Sequence, residues 1–137
     1  MIHAVIDTNV IVAALLTHNT ESATVKVLEA IENGRITPLY NNEILNEYVD
    51  VLSRARFHFS KDLVKQHVEL FFERGVKAER VSSSDFVADP DDIVFYEVAL
   101  SKDDAFLVTG NKKHFPQKPI VVTPAEMIDI LAKTENR

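Results

Sequence analysis

The feature of this sequence that most constrains its fold is an apolar segment that runs directly into a carboxylate. Residues 2–6 read Ile-His-Ala-Val-Ile, and Asp7 follows at once. The segment is typical of a buried strand, at whose end an ionised carboxylate is unfavourable unless a cation or hydrogen-bond donors offset its charge. We therefore expect Asp7 to have a specific partner. Capping of a helix that begins near Asn9 is the alternative role for its side chain.

Length and composition set broad limits. With 137 residues, 46% of them hydrophobic, the chain is expected to form a single domain over residues 1–137. The absence of cysteine excludes a thiol nucleophile and a cysteine-ligated zinc site, and suits the cytoplasm. The apolar run 10–16 is too short to span a membrane and has no basic segment before it, so no targeting segment is expected. The net charge of −6 argues against a broad basic surface for nucleic acid, but not against carboxylates that hold a metal ion.

Hydrophobic spacing and capping residues predict strands that alternate with helices. Strands are predicted at 2–6, 37–40, 76–81, 105–108 and 119–122. Helices are predicted at 22–33, 43–55, 61–74, from 89–92 to 100, and from 123 onward. Gly34 and Gly75 are predicted to end two of these helices. The pattern indicates an α/β fold with a mostly parallel central sheet between layers of helices.

In such a sheet, ligands bind at the carboxyl ends of the strands. Asp7 follows the first strand, residues 109–111 follow the strand 105–108, and the acidic segment 89–92 opens a helix that could begin at the same edge. The alternative for 89–92 is a structural one, because aspartates also suit the N-cap and first turn of a helix.

Helix geometry adds Glu47 to this set. Successive residues lie about 100° apart, which places Glu47 beside the apolar face of the helix 43–55 and turns Glu43 and Asp50 further toward water. A solvated surface position is the alternative for Glu47.

These residue types suit a hard divalent cation. Carboxylate and water oxygens are preferred by Mg²⁺ and Mn²⁺, which can lower the pKa of a bound water and stabilise the transition state of phosphodiester hydrolysis. The histidines show no spacing typical of metal ligands, so surface or packing roles are expected for all five: His3, His18, His58, His67 and His114.

Two segments have the composition of nucleic-acid contacts. Residues 54–59 combine Arg54 and Arg56 with two phenylalanines, and Lys112 and Lys113 follow directly after Asn111. The alternatives are a loop whose phenylalanines enter the core and a solvated turn.

Four segments, taken in order, resemble the signatures of PIN-domain ribonucleases, particularly the VapC-like toxin components of toxin-antitoxin modules. They are Ile6-Asp7-Thr8-Asn9-Val10, residues 44–54, Asp89-Pro90-Asp91-Asp92 with Ala99, and Leu107-Val108-Thr109-Gly110-Asn111. The resemblance covers nearly the whole chain. It implies a metal-dependent ribonuclease that leaves a 5′-phosphate and a 3′-hydroxyl, a homodimer, and a small antitoxin as partner, without membrane association.

The resemblance also implies roles for individual residues. Asp7, Glu47 and Asp92 match the acids that hold one or two Mg²⁺ or Mn²⁺ ions in the family, and Asp89 matches a helper. Asn9 would orient the first carboxylate, and Thr109 would line the pocket.

Two rival classes stay open. Asn111 stands where the family often has an aspartate, which weakens the case for a tightly held second metal and favours a degenerate PIN domain that binds RNA or protein without cleavage. A haloacid-dehalogenase-like phosphatase also has an aspartate after its first strand, but it usually needs a second one two residues later, where this chain has Asn9.

Overall fold

The computed structural model describes residues 1–135. Its strands are β1 (Ile2–Ile6), β2 (Ile36–Tyr40), β3 (Val76–Lys77), β4 (Phe106–Val108) and β5 (Val121–Val122). Its α-helices are α1 (Thr8–Leu16), α2 (Ala23–Glu32), α3 (Asn42–Leu52), α4 (Lys61–Arg74), α5 (Ile93–Leu100) and α6 (Pro124–Glu135). Short 3₁₀ turns lie at Ala55–Phe57, Pro90–Asp92 and Lys112–His114.

The strands form one five-stranded sheet in the order β3-β2-β1-β4-β5. Every pairing within it is parallel. β1 lies at the centre, and Ala4, Val5 and Ile6 are 0% exposed, because helices cover the sheet. α5 packs against β1 and β4, whereas α2 and α4 pack against β2. The predicted α/β fold, with a parallel sheet flanked by helices, is confirmed.

Side-chain caps begin several helices where the sequence predicted. Ser22, Asn41 and Ser60 each accept a hydrogen bond from the backbone amide three residues later. At α6, the Thr123 hydroxyl accepts from the Glu126 amide at 3.1 Å, and the Glu126 carboxylate accepts from the Thr123 amide at 2.8 Å. This reciprocal pair satisfies two amides that the helix itself leaves unpaired.

Some boundaries differ from the prediction. The strand predicted at 76–81 ends at Lys77. The Ala78 amide makes one more hydrogen bond to β2, at the Tyr40 carbonyl, and the Val81 amide then donates to the Glu97 carbonyl of α5. The helix predicted to reach residue 55 ends at Leu52, and a 3₁₀ turn follows. Gly34 does adopt the left-handed conformation expected after a helix, with φ of 76°.

Within residues 1–135, no helix combines the length and the apolar character needed to cross a membrane.

Candidate active site

The carboxyl ends of β1 and β4 place Asp7 and Thr109 side by side. Ile6 pairs with Val108 in parallel register, and the Asp7 amide donates to the Val108 carbonyl at 2.9 Å. The Thr109 hydroxyl donates to Oδ2 of Asp7 at 2.8 Å. Asp7 is 7% exposed. Burial raises the pKa of its carboxyl group, while the hydrogen bond from Thr109 opposes that rise. The carboxylate is therefore oriented, but its charge is not fully compensated.

Asn9 acts on the turn that follows β4. Its side-chain oxygen accepts from the Gly110 amide at 3.2 Å, and the Asn111 amide donates to the Thr109 hydroxyl at 3.0 Å. Within residues 1–135, no hydrogen bond joins the side chain of Asn9 to the carboxylate of Asp7. Asn9 fixes the turn that carries Thr109, and Thr109 contacts the acid. Asn111 is exposed at the end of this turn.

The side chain of Asp7 does not cap the helix that follows it. α1 begins at Thr8 with Asp7 as its N-cap residue, but no hydrogen bond joins the carboxylate to an α1 amide with capping geometry. The Thr8 and Asn9 amides lie close enough to lower the pKa of Asp7. The Thr8 hydroxyl is buried and has no hydrogen-bond partner within the described part of the chain. Two polar side chains in succession therefore lack full partners at this edge.

Glu47 is brought to the same edge by its neighbour in α3. The Tyr48 hydroxyl donates to the Ile6 carbonyl at 2.5 Å, which fixes the middle of α3 to the end of β1. Glu47 is partly buried, as helix geometry predicted. Burial raises the pKa of Glu47 most, and the charge of Asp50 raises it further, whereas the charge of Arg54 lowers it. The charges of Asp91 and Asp7 make smaller contributions that also raise it.

Asp92 has the most perturbed acidity of the three acids. Burial, followed by the charges of Asp7 and Asp89, raises its pKa to about 6. The charge of Glu47 adds to this rise. Asp92 is the N-cap residue of α5, yet its side chain makes no capping hydrogen bond. The carboxylates of Asp7, Glu47 and Asp92 are thus close enough to repel one another.

Asp89 has the structural role that was the alternative for this segment. Its carboxylate accepts from the Asp91 amide at 3.0 Å and so caps the turn Pro90–Asp92. This hydrogen bond does not prevent Asp89 from acting on Asp92, whose pKa it raises.

The donor set fits a cation that retains water ligands. Within residues 1–135, no three side chains of His, Asp or Glu lie close enough together to hold one ion between them. Mg²⁺, however, is usually bound through one or two carboxylates and keeps several waters. Carboxylates that raise one another's pKa are stabilised in their charged form by a divalent cation. The buried Thr8 hydroxyl beside Asp7 adds a polar atom with unused hydrogen-bonding capacity.

His114 lies near the acids, although sequence reasoning assigned it only a surface or packing role. Its charge lowers the pKa of both Asp7 and Asp92. Its carbonyl accepts from the Ala88 amide at 3.1 Å, which connects the turn after β4 to the segment before Asp89. The signal in the sequence was its position shortly after a strand end, not a ligand-type spacing.

Arg80 and Glu97 form a second feature that sequence reasoning missed. Glu97 is 7% exposed, and its carboxylate accepts from Arg80 Nε at 2.8 Å and from the Ser83 amide at 2.8 Å. Arg80 also donates to Glu43 at 2.8 Å, so it links α3 to α5. The available signal was a single carboxylate in the otherwise apolar helix α5.

The predicted RNA contacts after α3 form a small aromatic and cationic cluster. Arg54 forms an ion pair with Asp50 at 3.2 Å. The Arg56 guanidinium lies 4.8 Å from the centre of the Phe57 ring. The rings of Phe57 and Phe59 are stacked with centroids 5.5 Å apart and planes at 15°. Both phenylalanines are only partly buried, so their faces are not fully taken up by the core.

The other predicted contacts, Lys112 and Lys113, lie on the turn after Asn111. Lys112 forms an ion pair with Glu126 at 3.0 Å. Lys113 is exposed.

A parallel sheet with coupled acids at its carboxyl edge defines an α/β protein whose ligand site lies at the strand ends. The PIN domain family model matches residues 3–113, which include Asp7, Glu47, Asp92 and Asn111. The chain therefore belongs to the PIN-domain family, a family of nucleases, as its sequence signatures predicted. No curated protein and no solved structure shows a significant match to it.

Proposed function

We propose that this protein is a ribonuclease that depends on Mg²⁺ or Mn²⁺. The observation that supports this most directly is the coupling of three acids in a PIN domain. The charge of Asp7 raises the pKa of Glu47 and of Asp92, and all three carboxyl groups have a raised pKa. A divalent cation is the ligand that relieves such repulsion.

Hydrolysis would add water across the P–O3′ bond of RNA, leaving a 5′-phosphate and a 3′-hydroxyl. The metal would supply positive charge for the phosphate and acidify a water. Asp7, Glu47 and Asp92 would hold the metal, and Asp89 would assist them. Thr109 keeps Asp7 in one orientation through its 2.8 Å hydrogen bond, which reduces the reorganisation needed when the metal binds.

We propose single-stranded or loop RNA as the substrate. The charge of Arg54 acts on Glu47, so the cluster at 54–59 lies near the acids. Arg54 and Arg56 would contact phosphates. Lys112 and Lys113 would contact the strand on the side of Asn111.

Purified native protein should cut a mixed RNA pool with Mg²⁺ or Mn²⁺ and stop when EDTA is added. Asp7→Asn and Glu47→Gln should lose at least about a hundredfold in rate, as expected for groups that position a catalytic metal. Glu29→Gln is a matched control, because Glu29 is exposed on α2. Equal cutting by every variant would contradict the proposal.

The second candidate function is binding without cleavage. It is favoured by Asn111, an amide where the family often has an acid, and by the lack of a three-residue metal cluster within residues 1–135. RNA binding by the native chain, with no cutting under either metal, would establish this reading instead.

The resemblance to VapC-like proteins also supports a role in the cell. We propose a single-domain cytoplasmic toxin that forms a homodimer and is inhibited by a small antitoxin protein. Expression of the native chain should arrest growth, and Asp7→Asn should relieve the arrest. Co-expression of the product of a neighbouring small gene should also relieve it. Sedimentation velocity would test the dimer.

A further inference from the structure

A large cavity lies beyond the turn after β4. Its volume is about 600 Å³, within the range of small-molecule sites. Three lysines line it, Lys112, Lys113 and Lys118, and Pro116 and Pro119 contribute apolar surface. A cationic rim beside apolar walls suits a ligand that has both a phosphate and an apolar or aromatic part.

The charge of this cavity is only partly neutralised. Lys112 forms its ion pair with Glu126, whose carboxylate is itself held by the Thr123 amide at 2.8 Å. Within residues 1–135, neither Lys113 nor Lys118 forms an ion pair with an acid. Two positive charges are thus uncompensated at one place in a chain of net charge −6. This concentration is the kind of local field that attracts an anion.

The other cavities differ from this one in charge or in position. A cavity of about 380 Å³ beside α4 is lined by Glu32, Glu69 and Glu73 and by no lysine or arginine. Its negative charge would repel a phosphate. A cavity of about 410 Å³ is also lined by cations, Lys77, Lys102 and Arg80, but Arg80 is paired with Glu43 and Glu97. Cationic lining alone therefore does not select a cavity, and the connection to Asp7 through the turn after β4 distinguishes the one lined by Lys113 and Lys118.

The segment that follows β4 connects the acids to the cavity. Thr109 donates to Asp7 at 2.8 Å, the Asn111 amide donates to Thr109 at 3.0 Å, and the turn Lys112–His114 follows directly. His114 acts electrostatically on Asp7 and Asp92. Lys112 and Lys113, on the same turn, line the cavity. Lys112 and Lys113 therefore follow within four residues of Thr109, which contacts Asp7.

We infer that this cavity binds one nucleotide of the RNA substrate, adjacent to the phosphate that is cleaved. Lys113 and Lys118 contact its phosphate, and Pro116 and Pro119 contact its ribose and base. The lysines also offset the repulsion between an acidic protein and a polyanion. The inference rests on the proposed ribonuclease function and names a substrate subsite for it.

A binding assay with a labelled single-stranded oligoribonucleotide tests the inference. The Asp7→Asn variant is used without metal, and binding is measured by fluorescence anisotropy at several salt concentrations. Adding Lys113→Gln and Lys118→Gln should weaken binding about tenfold at low salt. It should also lower the magnitude of the salt slope by about 1.4, since each phosphate contact on a single strand contributes about 0.7.

The matched control replaces Lys77 and Lys102 by glutamine in the same background. These lysines line a different cavity, and neither lies in the segment between β4 and β5 that carries Lys113 and Lys118. This pair removes the same charge and should leave the slope nearly unchanged. Lys113→Arg with Lys118→Arg should retain binding, which separates loss of charge from loss of folding.

The inference would be overturned if the Lys113/Lys118 and Lys77/Lys102 glutamine variants lowered the salt dependence of binding equally. The effect would then be one of net charge. An unchanged slope for Lys113→Gln with Lys118→Gln would also overturn the inference. Inorganic polyphosphate should bind several-fold more weakly than RNA, and equal binding would overturn the assignment of a nucleotide. Cleavage by the native chain is a separate readout, so failure of the proposed function and failure of this subsite are distinguishable.

Discussion

Replacing Asp92 by asparagine should stabilise the metal-free protein at neutral pH. Burial and the charges of Asp7 and Asp89 raise the pKa of Asp92 from 3.8 to about 6. A raised carboxyl pKa means that ionisation of the group opposes folding. Asparagine has nearly the same shape without the charge, and the substitution removes no capping hydrogen bond, because the Asp92 side chain makes none.

The size and sign of the effect follow from that pKa. The difference between 3.8 and about 6 corresponds to roughly 3 kcal/mol, at about 1.36 kcal/mol per pKa unit. Asp92 is only partly buried, so screening by solvent reduces this to about 1–2 kcal/mol. Between about pH 4 and 6 the folded state binds more protons than the unfolded state, so stability falls as the pH rises through this window. The gain from Asp92→Asn should therefore be complete near pH 7.5 and absent near pH 4.

Urea denaturation in EDTA, followed by circular dichroism at several pH values, measures this gain. Asp91→Asn is the matched control, because Asp91 is the exposed neighbour, and it should change stability by less than about 0.5 kcal/mol. When Mn²⁺ replaces EDTA, the native protein should gain more stability than the Asp92→Asn variant does, because the metal binds the folded native protein more tightly. Destabilisation by Asp92→Asn near pH 7.5, or a gain independent of pH, would refute the electrostatic reasoning.

Two further substitutions test the surroundings of the acids. Thr109→Val removes the hydroxyl that lowers the pKa of Asp7, so half-maximal Mn²⁺ binding, measured by calorimetry, should move to higher pH; an unmoved midpoint would show that the hydroxyl has no such effect. Arg80→Gln leaves the carboxylate of Glu97 without its cation and should lower the free energy of unfolding by about 2 kcal/mol, whereas Arg35→Gln, which breaks an exposed ion pair, should have a much smaller effect in the same urea titration. Equal effects of the two arginine substitutions would contradict the role assigned to burial.

Features set by neighbouring residues could be predicted from the sequence. The helix predicted from residue 123 begins with a cap formed by Thr123 and Glu126, which are three positions apart and hydrogen-bond to each other's amides. The position of Asp7 at a strand end followed from the apolar residues before it. The partial burial of Glu47 followed from the period of the helix.

Features that depend on distant segments could not be predicted in the same way. Residues 78–81 alternate like a strand, but the structure places Arg80 against Glu97 and Glu43, which lie 17 and 37 positions away. An alternating pattern does not specify a pairing partner, and here charge pairing replaces strand pairing. The proximity of His114 to Asp7 likewise depends on β1 and β4 being neighbours in the sheet.

The acidic edge illustrates why such distant contacts matter. Asp7, Glu47 and Asp92 oppose folding when charged, since each has a raised pKa. They are held together by groups that are themselves neutral or paired. The Tyr48 hydroxyl of α3 donates to the Ile6 carbonyl of β1. Arg80 pairs with Glu97, and this ion pair lowers the pKa of Glu97. The charged acids therefore destabilise the fold at the proposed site, and nearby contacts offset this loss. Such a local loss of stability is typical of functional sites. Removing the charge of an acid should therefore stabilise the fold, whereas removing its supports should not.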